Sequence, residues 1–335
     1  TRIFDFISWN SPRPRGLLIP MRAAPKGYQE NSGQRKIVAL RPTTLVAVGG
    51  ARAGAYSIRM PEGPEIRLAA DNIRRALTFK SAPVREIWFK FDALKAYEKK
   101  LRGRFVESVE PRAKALLIRF EGGLNIYSHN QLYGKWYVRK TESGEPKTKR
   151  DLRLALRNNH RLALLYSASD ITVLRDAELD EHPFLKNLGP DVLDRKTKVD
   201  HVLERLEDKR FRGRNLGALY LDQGFLAGPG NYLRSEILYF AGLHPKRRPK
   251  DLDDAERKLL AQVSLDISRQ AYKTRGITNE LDRVEELKAQ GLTRSRYRHA
   301  VFARASRACY TCGTRVQKID VSSRRLYYCP TCQPV

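Results

Sequence analysis

Two groups of residues in this chain have types and spacing suited to chemistry. The first is Pro61-Glu62-Gly63-Pro64-Glu65, which follows Met60 directly. A proline with a free amine is a nucleophile whose pKa lies near 8, against about 10.4 for lysine, so far more of it is unprotonated at neutral pH. Attack on a sugar C1′ gives a cationic iminium that has no N–H proton to lose and serves as an electron sink for elimination. Glu62, next in sequence, can protonate the departing sugar oxygen or shuttle protons. With Met60, these residues also make an ordinary surface turn with two prolines. Inside a chain the proline nitrogen is an amide with no basic lone pair, so the chemistry requires Pro61 to be the first residue.

The second group is Cys309-x2-Cys312-x16-Cys329-x2-Cys332. Two paired knuckles at this spacing describe a zinc ribbon in which four thiolates close a tetrahedral Zn²⁺ site with no open position. The reading is therefore one structural zinc, able to fold a segment too small for a core of its own. A redox Cys-x-x-Cys pair or two disulfides are the weaker alternatives. Between the knuckles, Val321-Ser322-Ser323-Arg324-Arg325-Leu326 reads as a hairpin presenting two arginines, either to solvent or to a phosphate.

A third segment, Leu226-Ala227-Gly228-Pro229-Gly230-Asn231-Tyr232-Leu233-Arg234, places a tight turn between two apolar helical patterns. Asn231 reads as the N-cap of the second helix, whose free N–H groups and positive dipole end suit a phosphate. A plain helix–turn–helix corner with structural glycines fits the same residues.

Composition narrows the partner. The chain has 335 residues and a formal net charge of +27. Ten Lys/Arg against two Asp/Glu put +8 in residues 1–59, so residues 60–335 carry the other +19. Charge of this size points to a polyanion, nucleic acid first, with a ribosomal or merely basic protein as the alternative. No stretch approaches the roughly 20 apolar residues of a membrane span, and no membrane partner is expected. All four cysteines lie in the last 27 residues, which leaves none for a disulfide framework and suits a reducing compartment.

The elements that must position these residues follow from periodicity. Ile66, Ala69, Ala70, Ile73, Ala76 and Leu77 predict a helix over 61–77. Short β runs at Val84–Phe89, Ala115–Phe120, Leu124–Ser128, Lys135–Val138, Leu152–Leu156, Leu162–Tyr166 and Ile171–Leu174 predict a β-sandwich. After a linker at 181–198, helices are predicted over Val199–Glu207, Leu216–Leu226, Asn231–Ala241 and Asp253–Tyr272. Residues 276–298 are polar and carry no assignment. Residues 1–59, with five prolines and no periodic segment, read as an upstream stretch translated with the gene, in preference to an Arg-rich organelle leader.

In this order, the segments resemble the formamidopyrimidine-DNA glycosylase/endonuclease VIII family, with bacterial endonuclease VIII nearest. The resemblance rests on Pro61–Arg67 with Ala69–Asn72, Tyr127–Gly134, Leu165–Asp170, Gly189–Asp194 and Ala227–Glu236, and it covers 60–335. It implies an α+β multidomain protein. Residues 60–180 would form an N-terminal catalytic β-sandwich domain with a leading helix, 199–298 a helix-two-turn-helix DNA-binding domain, and 299–335 the zinc finger. It implies a bifunctional DNA glycosylase and AP lyase that removes oxidised pyrimidines from damaged double-stranded DNA and cuts the strand by β,δ-elimination. Oxidised purines by the same chemistry are the alternative, and a non-catalytic zinc-ribbon nucleic-acid binder is another if the leader stays attached.

The resemblance also implies residue roles. Pro61 is the nucleophile, Glu62 the proton donor and Lys114 the catalytic lysine of the β-sandwich. Asn231 and Arg324 grip the phosphates around the lesion, Glu65 is an active-site carboxylate, and Gln131, Leu132 and Tyr133 wedge into the gap left by the flipped nucleotide. A monomer in the bacterial cytoplasm, at the nucleoid, is expected. Two departures stand out. Ala113 stands where the lysine motif commonly has Gly, and Gly276–Ser295 is longer than the corresponding piece of endonuclease VIII, in a region where relatives vary a base-contacting loop.

Overall fold

In the computed structural model, which describes residues 61–335, the first helical pattern forms α1 (Gly63–Leu77). Its buried face is Ile66, Ala70, Ile73 and Leu77, the three- and four-residue spacing that one side of a helix presents. The expected upstream extension 1–59 and the start at Met60 lie outside the described residues, which all fall within one compact unit.

The β region contains β1 (Glu86–Phe89), α2 (Asp92–Leu101), β2 (Val106–Arg112), β3 (Ala115–Phe120), β4 (Leu124–His129), β5 (Lys135–Lys140), β6 (Leu152–Arg157), β7 (Arg161–Tyr166) and β8 (Asp170–Arg175). Two four-stranded antiparallel sheets result, in the orders β1-β6-β7-β5 and β2-β3-β4-β8. Phe89, Leu154 and Leu165 of one sheet share a core with Ile118, Phe120 and Ile126 of the other, and with Ile66 and Ile73 of α1. The periodicity misses α2 and β2. α2 buries only Leu94 and Leu101 within a charged helix, too thin a stripe to register. β2 is a sheet edge carrying Pro111 and two glutamates, a composition that edges tolerate and central strands do not.

The helical part comprises α3 (Val199–Glu207), α4 (Leu216–Leu219), α5 (Asn231–Phe240), α6 (Asp254–Lys273), α7 (Leu281–Ala289) and α8 (Arg294–Tyr297), followed by the hairpin β9 (Gln317–Val321) and β10 (Arg324–Tyr328). Leu216, Tyr220, Phe225, Leu233, Ile237, Leu260 and Leu265 meet in its core. The helix expected over Leu216–Leu226 stops at Leu219. The Asp222 carboxylate accepts the Gly224 N–H at 2.8 Å, and the Gln223 amide donates to the Leu221 and Pro229 carbonyls while accepting the Gly228 N–H. These side-chain bonds replace the helical ladder with two turns. Phe225 and Leu226 still reach the core, which is why their spacing looked helical. The unassigned 276–298 stretch contains α7 and α8.

Candidate active site and metal centre

The N-terminal end of α1 docks onto the turn before α5. The Gly63 N–H donates to the Gly228 carbonyl at 2.9 Å. The buried Glu62 carboxylate accepts the N–H groups of Tyr232 at 2.7 Å and Leu233 at 3.2 Å. Gly230 is the N-cap of α5, and a Cβ there would lie 2.6 Å from Glu62 Cδ, so only glycine lets the carboxylate this close. This corrects two expectations. Asn231 is the first helical residue and not the cap, and two N–H groups that would have served a phosphate are taken by Glu62.

Pro61 lies at the boundary of two cavities. One, of about 230 Å³, is lined by Pro61 with Glu62, Lys114, His129, Asn231 and Arg324. The other, of about 330 Å³, is lined by Pro61 with Glu65, Trp136, Tyr232, Arg298 and the tips Leu132 and Tyr133. The first is rich in cations and hydrogen-bond donors, as a sugar–phosphate requires. The second mixes aromatic walls with a few polar groups, as a flat heterocycle requires.

Burial pushes the Glu62 carboxyl up to about 7, against the charge of Lys114 and the two backbone N–H bonds. Burial likewise pushes the Lys114 ammonium down to about 8, opposed by Glu62 and reinforced by Arg324 and Arg234. A carboxyl that retains its proton near neutrality is a competent acid. Lys114 occupies the β2–β3 turn beside Ala113, whose φ is +57°. Glycine would be at ease in that left-handed conformation, and alanine costs about 1 kcal/mol there. The Ala113 N–H is tied to the Asp191 carboxylate at 3.3 Å, which helps hold the turn.

Arg234, singled out by nothing in the sequence, fixes the Asn231 and Arg324 side of the site. Fully buried on α5, it donates to Asn231 Oδ1 at 2.9 Å, the Arg324 carbonyl at 2.9 Å and the Gly217 carbonyl at 2.6 Å. One guanidinium thereby orients Asn231 and ties the β9–β10 hairpin to α4 and α5. Arg324 opens β10 directly after the Ser322–Ser323 turn, where both residues have positive φ.

Gln131, Leu132 and Tyr133 project from the turn after β4, with Leu132 46% and Tyr133 52% exposed. Large apolar side chains held out in this way from a tight turn need an explanation beyond packing. Gln131 has φ +48°, its N–H donates to His129 Nδ1 at 3.1 Å, and its Oε1 accepts the Ser169 hydroxyl at 2.7 Å. Burial holds His129 below its usual pKa, which keeps Nδ1 free to accept. His129 was legible only as part of the Tyr127–Gly134 run. Glu65 Oε2 accepts the Glu62 N–H at 3.1 Å and the Tyr232 hydroxyl at 3.2 Å, which places it at the second cavity, with Trp136 and Arg298.

The four cysteine sulfurs lie within 4.8 Å of one another, with Cys309–Cys332 at 3.8 Å and Cys312–Cys329 at 3.4 Å. Tetrahedral zinc with thiolates at about 2.3 Å would separate its sulfurs by about 3.8 Å. The donor set is all sulfur and closed, and it can hold a metal ion in a structural site.

Comparison with known proteins agrees with this architecture. Residues 60–166 match the formamidopyrimidine-DNA glycosylase N-terminal domain, and residues 188–282 match the formamidopyrimidine-DNA glycosylase H2TH domain. Endonuclease 8 of Salmonella agona (strain SL483) is 48% identical over 275 residues, covering 82% of this chain and 100% of that protein. Endonuclease 8 of Escherichia coli O17:K52:H18 is 48% identical over 274 residues, with the same coverage. Lactococcus lactis Fpg in complex with DNA containing an oxidised pyrimidine shares the fold, with TM-score 0.67 and 19% identity over 82% of this chain and 100% of that one. The chain belongs to the formamidopyrimidine-DNA glycosylase family, whose Endonuclease 8 and Fpg members are DNA N-glycosylases with AP lyase activity.

Proposed function

We infer that this protein removes oxidised pyrimidines from duplex DNA through an N-terminal Pro61 and then cuts the strand by β,δ-elimination. The observation that carries the reading is the place of Pro61. It sits between a cavity suited to a base and one suited to a sugar–phosphate, with the buried Glu62 and Lys114 beside it. The Pro61 nitrogen forms a bond to C1′ as the bond from C1′ to the base breaks, and the amine N–H proton is passed to the departing base. Glu62 passes its proton to the ring oxygen O4′ as the C1′–O4′ bond opens, which leaves an iminium between Pro61 and C1′. Loss of a C2′ proton then expels the 3′ phosphate, and a second elimination expels the 5′ phosphate. Lys114 supplies the positive charge that steadies Glu62 once the proton has gone.

Around this chemistry, Asn231 and Arg324 bind phosphates, and Gln131, Leu132 and Tyr133 fill the gap left by the extruded nucleotide. A single structural Zn²⁺ on Cys309, Cys312, Cys329 and Cys332 braces the hairpin that carries Arg324. The working form begins at Pro61 after removal of Met60. In support, the family match begins at residue 60, and relatives aligned over their whole length cover 82% of this chain.

Duplexes bearing thymine glycol or 8-oxoguanine test the reading. The protein beginning at Pro61 is expected to release thymine glycol faster and to leave a one-nucleoside gap with phosphate on both ends. Faster release of 8-oxoguanine would shift the reading to purines, and a single cut by β-elimination alone would contradict the second elimination.

A further inference from the structure

The base-side cavity has one wall that nothing so far uses. Arg298 closes a long excursion of the chain that carries α7 and α8, and its backbone is fixed at the neck. The Arg298 carbonyl accepts the Thr278 N–H at 2.8 Å, which pins the neck of the excursion. Immediately beyond, the fully buried Glu236 carboxylate collects the N–H groups of Ala300, Val301 and Phe302 at 2.8–2.9 Å, and the Thr278 hydroxyl at 2.6 Å. Four donors on one buried carboxylate make a rigid anchor.

The Arg298 side chain is placed as deliberately. Its Nε donates to the Gly276 carbonyl at 3.1 Å. Gly276 has φ +99°, and a Cβ there would lie 2.6 Å from Arg298 Nη2 and 3.2 Å from Glu65 Oε1. Glycine is therefore what allows a guanidinium and a carboxylate to meet at this point of the cavity wall. Tyr232 donates its hydroxyl to the same carboxylate. Trp136 Nε1 and Asn130 Oδ1, on two other residues of the cavity, are buried without a hydrogen-bond partner.

We propose that Arg298, fixed beside Glu65 by Gly276 and the Glu236 anchor, is a specificity-determining residue that donates to a carbonyl oxygen of the extruded pyrimidine. This rests on the reading of Pro61 as the nucleophile that faces this cavity. A thymine-derived lesion presents carbonyl, N–H and carbonyl along one edge. With Arg298 donating to O2 and Glu65 accepting from N3–H, the pair complements two adjacent positions of that edge. A guanine-derived lesion carries an amino donor where the second carbonyl would be, and a donor facing a guanidinium is left unpaired. Discrimination of this kind comes as much from the rejected base as from the accepted one.

The test compares wild type, Arg298→Lys and Arg298→Ala, each beginning at Pro61. Single-turnover release of thymine glycol and of 8-oxoguanine is measured alongside cleavage and borohydride trapping at a preformed abasic site. Arg298→Ala is expected to lower the ratio of thymine-glycol release to abasic-site cleavage by about tenfold or more, the scale of one hydrogen bond to a charged group. It is also expected to lower the ratio of thymine glycol to 8-oxoguanine release, with Arg298→Lys intermediate. Trapping at the abasic site reports that each variant is folded. An unchanged ratio, or a parallel fall on base-bearing and abasic substrates, would overturn the assignment of Arg298 while leaving Pro61 standing. A wild-type protein that never traps would overturn the Pro61 reading, and this one with it.

Discussion

The Glu62 carboxylate accepts the Tyr232 N–H at 2.7 Å, so the residue beside the proposed nucleophile also caps the helix that carries Asn231 and Arg234. Residues 170 positions apart in the chain are joined at the site, alongside the Glu62–Leu233, Gly63–Gly228 and Glu65–Tyr232 contacts between the β-sandwich and helical parts. The proposed acid and the cap are therefore one side chain.

Glu62→Gln separates the two roles. The amide keeps the shape but has one carbonyl oxygen for two N–H groups, at a cost of about 1 kcal/mol in stability. It has no proton to give at neutral pH. Base removal is expected to fall by about a hundredfold or more, while cleavage of an abasic site, whose sugar already opens to an aldehyde, falls far less. Equal losses on both substrates would contradict the assignment of Glu62 as acid in ring opening.

The pH profile of base removal carries the same information. The Pro61 amine must be unprotonated, so activity rises with pH toward about 8. The Glu62 carboxyl must be protonated, so activity declines as pH passes its value of about 7. A bell centred between the two is expected for thymine-glycol release. On an abasic site the falling limb should be weaker. A release rate that climbs steadily to pH 9 would show that Glu62 is not the proton source.

Much of this was legible in the sequence. The cysteine spacing located the four-sulfur cluster that can hold a metal ion, because a closed thiolate tetrahedron needs two knuckles and little else. The α1 pattern was readable because it buries one regular face, and β3, β4 and β7 because they are short, nearly continuous apolar runs. Arg234 was not readable. Its value lies in carbonyls at Gly217 and Arg324, brought together by tertiary folding and invisible to periodicity. Arg298 and Glu236 were hidden for the same reason, since the neck they hold joins backbone segments about 20 residues apart. Asn231 was misread as a cap because the carboxylate that does the capping comes from the other end of the fold.

The metal site is tested by Cys312→Ser. Cys312 is exposed, so the substitution removes a ligand without opening a hole in the core. One zinc per chain is expected in the purified protein, together with loss of the metal, a lower Tm and weaker binding to damaged DNA in the variant. Metal analysis that finds no zinc, or normal binding by Cys312→Ser, would refute the structural-zinc reading.

Salt dependence distinguishes the two proposed phosphate ligands, Asn231 and Arg324. Each cationic phosphate contact contributes about −0.9 to the slope of log K against log salt on duplex DNA. Arg324→Ala should weaken binding and flatten that slope by about one contact. Asn231→Ala should weaken binding with the slope unchanged, because the side chain is neutral. Neither should greatly reorder the lesions released. A flat salt response in the wild type would contradict a phosphate-driven interface.

The most direct test of the account is borohydride reduction of the protein on DNA containing an abasic site or thymine glycol, coupled to intact-mass analysis of the adduct. An iminium between Pro61 and C1′ reduces to a permanent bond, so the protein beginning at Pro61 is expected to trap, with the modification mapped to its first residue. Substituting Pro61, or retaining residues upstream of it, should abolish the adduct. A protein that begins at Pro61 and binds such DNA yet never traps, or full lyase activity with the upstream residues still attached, would contradict it.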